Sequence, residues 1–213
     1  VLIAGCGTGQ QIFQSGYLSN QTLAIDLSFN SLSYALRKAK ELKKNNIEFI
    51  QADILELEKL NKRFDIIESV GVLHHMEDPI EGWKVLNNLL KPNGMMLIGL
   101  YSDLARQDIK LAHDLIREKK LLTSTNDIKS FRKYLCSENS PEVYENIMNS
   151  YDFYSLSACR DLLFHVKEHR FTIPKIKKIL KEFGLSFIGF QHSDIKILNS
   201  FKETYINESE WNS

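Results

Sequence analysis

The chain opens on Val1-Leu2-Ile3-Ala4-Gly5-Cys6-Gly7-Thr8-Gly9-Gln10, an apolar run that ends in alternating glycines and passes into a helix-compatible stretch. That order constrains the fold more than any other feature: a buried strand must turn tightly into a helix. Glycine is required in the turn because a Cβ there would obstruct a ligand or forbid the backbone angles. A second buried strand, Thr22-Leu23-Ala24-Ile25-Asp26, closes on a carboxylate. At the carboxyl end of a strand, beside such a turn, a carboxylate can accept hydrogen bonds from both hydroxyls of a ribose.

Glycine spacing narrows the ligand. A dinucleotide fingerprint, G-x-G-x-x-G, would put its third glycine at position 10, which is Gln10; the pattern here is G-x-G-x-G. No Lys follows to complete a phosphate-cradling P-loop.

The 213 residues suit one α/β domain carrying an insertion. Lys plus Arg and Asp plus Glu are 27 each, so no overall field draws the chain to nucleic acid or to a membrane surface. Cys6, Cys136 and Cys159 are few and far apart, which points to a reducing, cytoplasmic compartment and excludes a zinc-binding pair at CxxC spacing. No signal peptide is visible and no apolar run approaches a membrane span. The first residue is not Met and already belongs to a strand, so the chain reads as a fragment.

Along the chain, Gln10 to Leu18 is expected as the first helix. Ser28 caps a longer one with Leu32, Ala35, Leu36, Ala39 and Leu42 on one face. Ile47 to Ile50 is a third strand, and Asp53 precedes a short helix, Ile54 to Leu60, that it would cap. Phe64 to Val70 is the fourth strand. Asp78-Pro79 then starts a helix, with Asp at the N-cap and Pro at the first position; Ile80, Trp83, Leu86, Leu89 and Leu90 form its apolar face. Leu90 to Gly94 ends that helix, and Met95 to Leu100 is the fifth strand. Residues 103 to about 170 interrupt the alternation with helical stripes: Ile109, Ala112, Leu115 and Ile116; Ile128, Phe131 and Leu135; Val143, Ile147 and Met148. Ile173 to Phe183 is an amphipathic helix ending at Gly184, Leu185 to Phe190 is a sixth strand, and Ile195 to Ile206 is helical. The basic run Lys167, Arg170, Lys175, Lys177, Lys178 and Lys181 is a solvated face.

The opening run, together with Phe64-Asp65-Ile66-Ile67, Val72-Leu73-His74-His75, Asp78-Pro79 and Leu90-Lys91-Pro92-Asn93-Gly94, resembles the class I S-adenosylmethionine-dependent methyltransferases. The resemblance implies a Rossmann-like doubly wound, mostly parallel sheet with helices on both faces and a helical lid insertion after strand five; no seventh strand is evident, and the carboxyl end reads as truncated. The expected boundaries are a cofactor-binding core at 1–102, the lid at 103–170 and the rest of the core at 171–213. Cofactor contacts implied by the family are Ala4, Gly5, Cys6, Gly7, Thr8 and Gly9 against the ribose and methionine part, with Asp26 and Leu27 at the ribose. Asp53 meets the adenine amino group and Ile54 its ring, while Ser69 and Val70 line the methionine end. The family often carries an acid two positions before the first glycine. Here that place is Ile3, so a direct charge contact with the cofactor's ammonium is lost; Glu68 either supplies it or holds a partner from the insertion. The stretch Tyr151 to Pro174 is similar to methyltransferases joined to tetratricopeptide repeats, which lie outside this chain.

The implied chemistry is in-line displacement at a sulfonium carbon, with S-adenosylhomocysteine as the product. The protein must align the nucleophile and exclude water, and needs a base only where the acceptor loses a proton. His74, His75 and His165 are the candidates. Against them stand plainer readings: His74 and His75 as loop residues packed beside the pocket, and Asp161 with His165 as an i, i+4 helix pair. No histidines and acids fall at metal-ligand spacings. The acceptor, a small molecule or a protein, is not specified. Two rivals are a nucleotide-dependent oxidoreductase and a non-catalytic module of the same fold.

Overall fold

The computed structural model describes residues 1–9, 11–13, 19, 21–137, 141–165, 167–192 and 194–204. The chain divides into two compact units, one of Val1–Leu100 with Ile173–Ser213 and one of Tyr101–Thr172. No helix among the described residues is long and apolar enough to cross a membrane.

The first unit is built on five parallel strands, β1 (Leu2–Ala4), β2 (Thr22–Asp26), β3 (Ile47–Gln51), β4 (Phe64–Val70) and β5 (Leu90–Gly99), in the order β3-β2-β1-β4-β5. This is the doubly wound order, and it reverses direction between β1 and β4. In such sheets the crevice beyond the carboxyl ends of those two strands is where ligands lie. Leu2, Ile3 and Ala4 are completely buried, which is why the opening run is apolar without alternation.

Helix α1 (Phe29–Glu41) starts on the Ser28 hydroxyl, which accepts the Ser31 amide at 3.2 Å. Its Leu32 and Ala35 pack on Ile3, Cys6, Ile12 and Ala24. Of the expected stripe, Leu32, Ala35 and Ala39 are buried, but Leu36 and Leu42 are exposed. Leu42 is the C-cap, past the last helical turn. Helix α2 (Pro79–Asn88) begins as its sequence implies, with Asp78 Oδ1 accepting the amides of Ile80 and Glu81. It buries Trp83 and Leu86 and packs on the 3-10 helix Ile54–Leu60.

One expectation falls largely outside the described residues, and others change. Only Gln11–Phe13 of the first helix is described, and Gln10 and 14–18 lie outside the described residues. Strand β5 begins at Leu90 rather than Met95, because Leu90 already pairs with Phe64 and a register shift between Phe64 and Ile66 absorbs the extra residues. Leu185 to Phe190 alternates as a strand should, yet it joins no ladder among the described residues, and Ile188 is 80% exposed. Alternation needs a neighbour's hydrogen bonds before it becomes a strand. After it comes α8 (Ile195–Thr204). Before it, α7 (Ile173–Glu182) is tied to α2: Trp83 meets the Phe183 ring edge-on at 6.1 Å, and Asn87 Nδ2 donates to the Phe183 carbonyl at 3.2 Å.

The second unit has its own core. Its helices are α3 (Gln107–Glu118), α4 (Thr125–Leu135), α5 (Glu145–Asn149) and α6 (Leu156–Phe164). They bury Ile109, Ala112, Ile128, Phe131, Leu135, Ile147, Cys159 and Leu163 together. Val143 departs from its expected stripe: it sits in a 3-10 turn and is exposed, while Tyr144 takes the buried place. A short parallel pair, β6 (Tyr101–Ser102) and β7 (Arg170–Phe171), joins the two ends of this unit. Next to it the Arg106 guanidinium grips Glu168 through two bonds, Nε to Oε1 at 3.0 Å and Nη2 to Oε2 at 2.7 Å, and lies 3.7 Å over the Tyr101 ring. The Glu168 side chain is only 4% exposed. Arg170 is not on a solvated face either: its Nε lies 3.7 Å from Asp103 Oδ1 and its Nη1 is buried.

Candidate functional site

At the end of β1 the chain turns through Gly5, whose φ of +81° suits glycine. The amides of Gly5 and Cys6 both donate to the Ile25 carbonyl at 2.9 Å, so the turn is bolted to β2. A Cβ on Gly5 would come within 2.1 Å of Val72 Cγ2, which means that the loop after β4 rests directly on this turn. Gly7 is different. Its φ is +50°, and a Cβ there would meet nothing within 4 Å. Gly71, at the end of β4, likewise combines φ of +80° with open space. Past the ends of the two strands at the switch point, Gly7 and Gly71 thus both leave open space where a side chain would stand. Thr8 is exposed, and Gly9 is packed, its would-be Cβ 3.1 Å from the Phe13 ring.

Asp26 ends β2. Its Oδ2 accepts the Gly7 amide at 2.8 Å and its Oδ1 the Ser28 amide at 2.8 Å. Each carboxylate oxygen keeps further acceptor capacity, so two hydroxyl donors can still be received. Leu27 is 66% exposed beside it. Asp53 N-caps the 3-10 helix by accepting the Leu55 amide on Oδ1 at 3.0 Å, and Ile54 behind it is buried.

On β4, Glu68 is half-buried and lies in register with Ile3 of β1. The family's acidic position is spent on packing, since Ile3 is 0% exposed. Ser69 is fully buried, and its Oγ has no hydrogen-bond partner among the described residues. Its side chain therefore points into the core and only its backbone is available. Val70 is half-buried at the strand end.

The histidines separate. His74 is 1% exposed, with the His75 ring edge-on at 4.3 Å. His75 is half-buried. In the second unit, His165 Nδ1 donates to the Lys167 carbonyl at 2.8 Å, and its Nε2 is 3.9 Å from Asp161 Oδ1, so the helix pair forms. These two, with Thr123, Ser157, Arg160 and Phe164, line a cleft of about 300 Å³.

Burial, and next to it the Asp26 charge, push the Cys6 thiol up to about 12. Sequence reasoning missed Val72 and Gln51, whose side-chain amide donates to the Leu27 carbonyl at 2.9 Å. Val72 opens the Val72-Leu73-His74-His75 motif, but its packing on Gly5 is not written there, and Gln51 belongs to no motif; both contacts are seen only once the strand ends lie side by side.

A family model described as a methyltransferase domain matches residues 1–186. An uncharacterised protein of Synechococcus sp. is 27% identical over 203 residues, spanning 91% of this chain and 49% of that protein. Phosphoethanolamine N-methyltransferase 3 of Arabidopsis thaliana is 34% identical over 102 residues, 47% of this chain and 21% of its own length. The chain thus spans about half or less of the length of these relatives. Among solved structures, PKMT2 from Rickettsia typhi superposes with a TM-score of 0.70 at 20% identity, covering 96% of this chain and 43% of that one, and it has also been solved in complex with AdoHcy. With the glycine turn, the strand-end acid and the doubly wound sheet all in place, the chain belongs to the methyltransferase-domain family of class I S-adenosylmethionine-dependent enzymes, whose cofactor is S-adenosylmethionine.

Proposed function

We propose that this chain is the methyl-transferring part of a larger enzyme and that it holds S-adenosylmethionine across the carboxyl ends of β1, β2 and β4. The observation that carries the reading is the Asp26 carboxylate, pinned by two backbone amides at 2.8 Å yet left with acceptor capacity for a ribose diol. The residues fit that cofactor: Gly7 and Gly71, past the ends of β1 and β4, leave open space where a side chain would otherwise stand.

In this reading Ala4, Gly5, Cys6, Gly7, Thr8 and Gly9 form the floor under the ribose and methionine part. Asp26 grips the diol, Leu27 covers it, and Asp53 with Ile54 receives the adenine. The Ser69 and Val70 backbone walls the methionine end. Glu68, in register with the buried Ile3, supplies the negative charge for the ammonium from the neighbouring strand. When bound, the cofactor supplies a methyl group already activated on a sulfonium. The protein's share is alignment and exclusion of water. His75 is the better placed base of the histidine pair, because the His74 ring is sealed from solvent. The 103–170 insertion, the expected lid, carries His165 and its cleft and is the acceptor-selecting part. The acceptor is a small molecule or a protein.

Equilibrium titration tests this. Binding of S-adenosylmethionine and S-adenosylhomocysteine, with NAD not bound, is expected; preference for NAD, or no nucleoside binding at all, overturns it. A second reading, a nucleoside-binding module without catalysis, is favoured by one observation, the buried Ile3 where the family often has an acid. Cofactor binding without turnover of any methyl acceptor by the full-length protein would select it.

A further inference from the structure

Gln51 closes β3 in register with Asp26, and its side chain does something that the strand does not require. Its Nε2 donates to the Leu27 carbonyl at 2.9 Å, while the next residue's amide, that of Ala52, donates to the Asp26 carbonyl at 3.2 Å. The Leu27 carbonyl belongs to the same peptide unit as the Ser28 amide. That amide is the one that holds Asp26 Oδ1 at 2.8 Å. A peptide unit is planar and its C=O and N–H point in opposite directions, so fixing one fixes the other. Rotation of this plane would aim the Ser28 N–H away from the carboxylate and release the oxygen that it orients. Both ends of the plane are therefore loaded, by Gln51 on one side and by Asp26 on the other. The turn is solvent-facing and Leu27 has little packing to hold it, so the Gln51 bond adds to the hold that the Ser28 helix cap and the Ala52–Asp26 bond supply on either side.

We propose that Gln51 is a positioning residue for cofactor binding: through the Leu27–Ser28 peptide it sets the direction of the Asp26 carboxylate toward the ribose hydroxyls. The inference rests on the reading of Asp26 as the ribose acid. Gln51 itself touches neither the sugar nor the reacting atoms in this scheme. It works one peptide away.

The test compares the unaltered protein with Gln51→Met, which keeps length but loses the donor, and with Gln51→Lys, which restores one. Calorimetric titration uses S-adenosylhomocysteine and its 2′,3′-dideoxy counterpart. Gln51→Met is expected to weaken S-adenosylhomocysteine about fivefold, the scale of one solvent-facing hydrogen bond. Gln51→Lys returns affinity to within about twofold, and the dideoxy ligand binds the unaltered protein and Gln51→Met alike. Melting of the three ligand-free proteins within about 2 °C of one another shows that the fold is intact. Unchanged affinity in Gln51→Met, equal weakening of both ligands, or no recovery with Gln51→Lys overturns the positioning role and leaves the cofactor site standing. Failure of the unaltered protein to bind S-adenosylhomocysteine overturns the site and this inference together.

Discussion

Asp26 Oδ2 and the Gly7 amide are 2.8 Å apart, so the acid that ends β2 also braces the turn that ends β1. One side chain thereby shapes the turn and, in the proposed reading, also grips the ribose. Asp26→Ala removes charge-assisted bonds in a part-buried site, and each such bond contributes about 1.5–3 kcal/mol. Loss of about tenfold or more in S-adenosylmethionine affinity is expected by calorimetry, and unchanged affinity would count against the site.

Gly5 and Val72 make the second brace. Gly5→Ala would place a methyl 2.1 Å from Val72 Cγ2 and put alanine at φ +81°. Overpacking and the left-handed backbone together predict destabilisation of about 2–4 kcal/mol in urea unfolding. Adding Val72→Ala removes the clash but not the backbone term, so the double variant should recover part of the loss; no recovery would show that the contact is not the cause.

Cys6 lies in the glycine turn and is nevertheless expected to be inert. Its thiol sits at about 12 because burial and the Asp26 carboxylate both oppose the thiolate. Burial pushes the Cys159 thiol up as well, while Cys136 is exposed. Iodoacetamide at about pH 7.5 should modify Cys136 first, as mass spectrometry will show. Comparable labelling of Cys6 would mean that the turn opens.

His113 gives the second unit a pH dependence. Burial lowers its pKa from the ordinary 6.5, with Arg106 and Arg170 adding to the effect and Glu168 opposing it. A depressed pKa means that the unfolded chain binds the proton more readily, so stability is full above 6.5 and is lost as pH falls below it. Melting temperature should drop on acidification, and His113→Gln should flatten the slope. A parallel drop in the variant would assign the effect elsewhere.

The glycine turn, the acid at the end of β2 and the Asp78-Pro79 helix start were all legible, because each is a local solution with a local signature. Ser28 and Asp53 likewise cap as their positions imply. What escaped notice depends on neighbours. Val72 matters only because Gly5 lies beneath it, and Gln51 only because β3 ends level with Asp26. Leu185 to Phe190 misleads for the converse reason: its alternation is correct, but no ladder among the described residues receives it. Among the histidines, sequence alone could not separate His74 from its neighbour, since of these adjacent residues one is buried and the other half-buried, a difference that only packing decides.

The parallel ladder of Tyr101 with Arg170 and Ser102 with Phe171, backed by the Arg106 and Glu168 clamp, stitches the beginning of the second unit to its end. A segment closed upon itself in this way can be lengthened, shortened or exchanged like a cartridge, provided that its seam is kept. The seam therefore keeps the entry and exit of the segment between Arg106 and Glu168 side by side whatever its length.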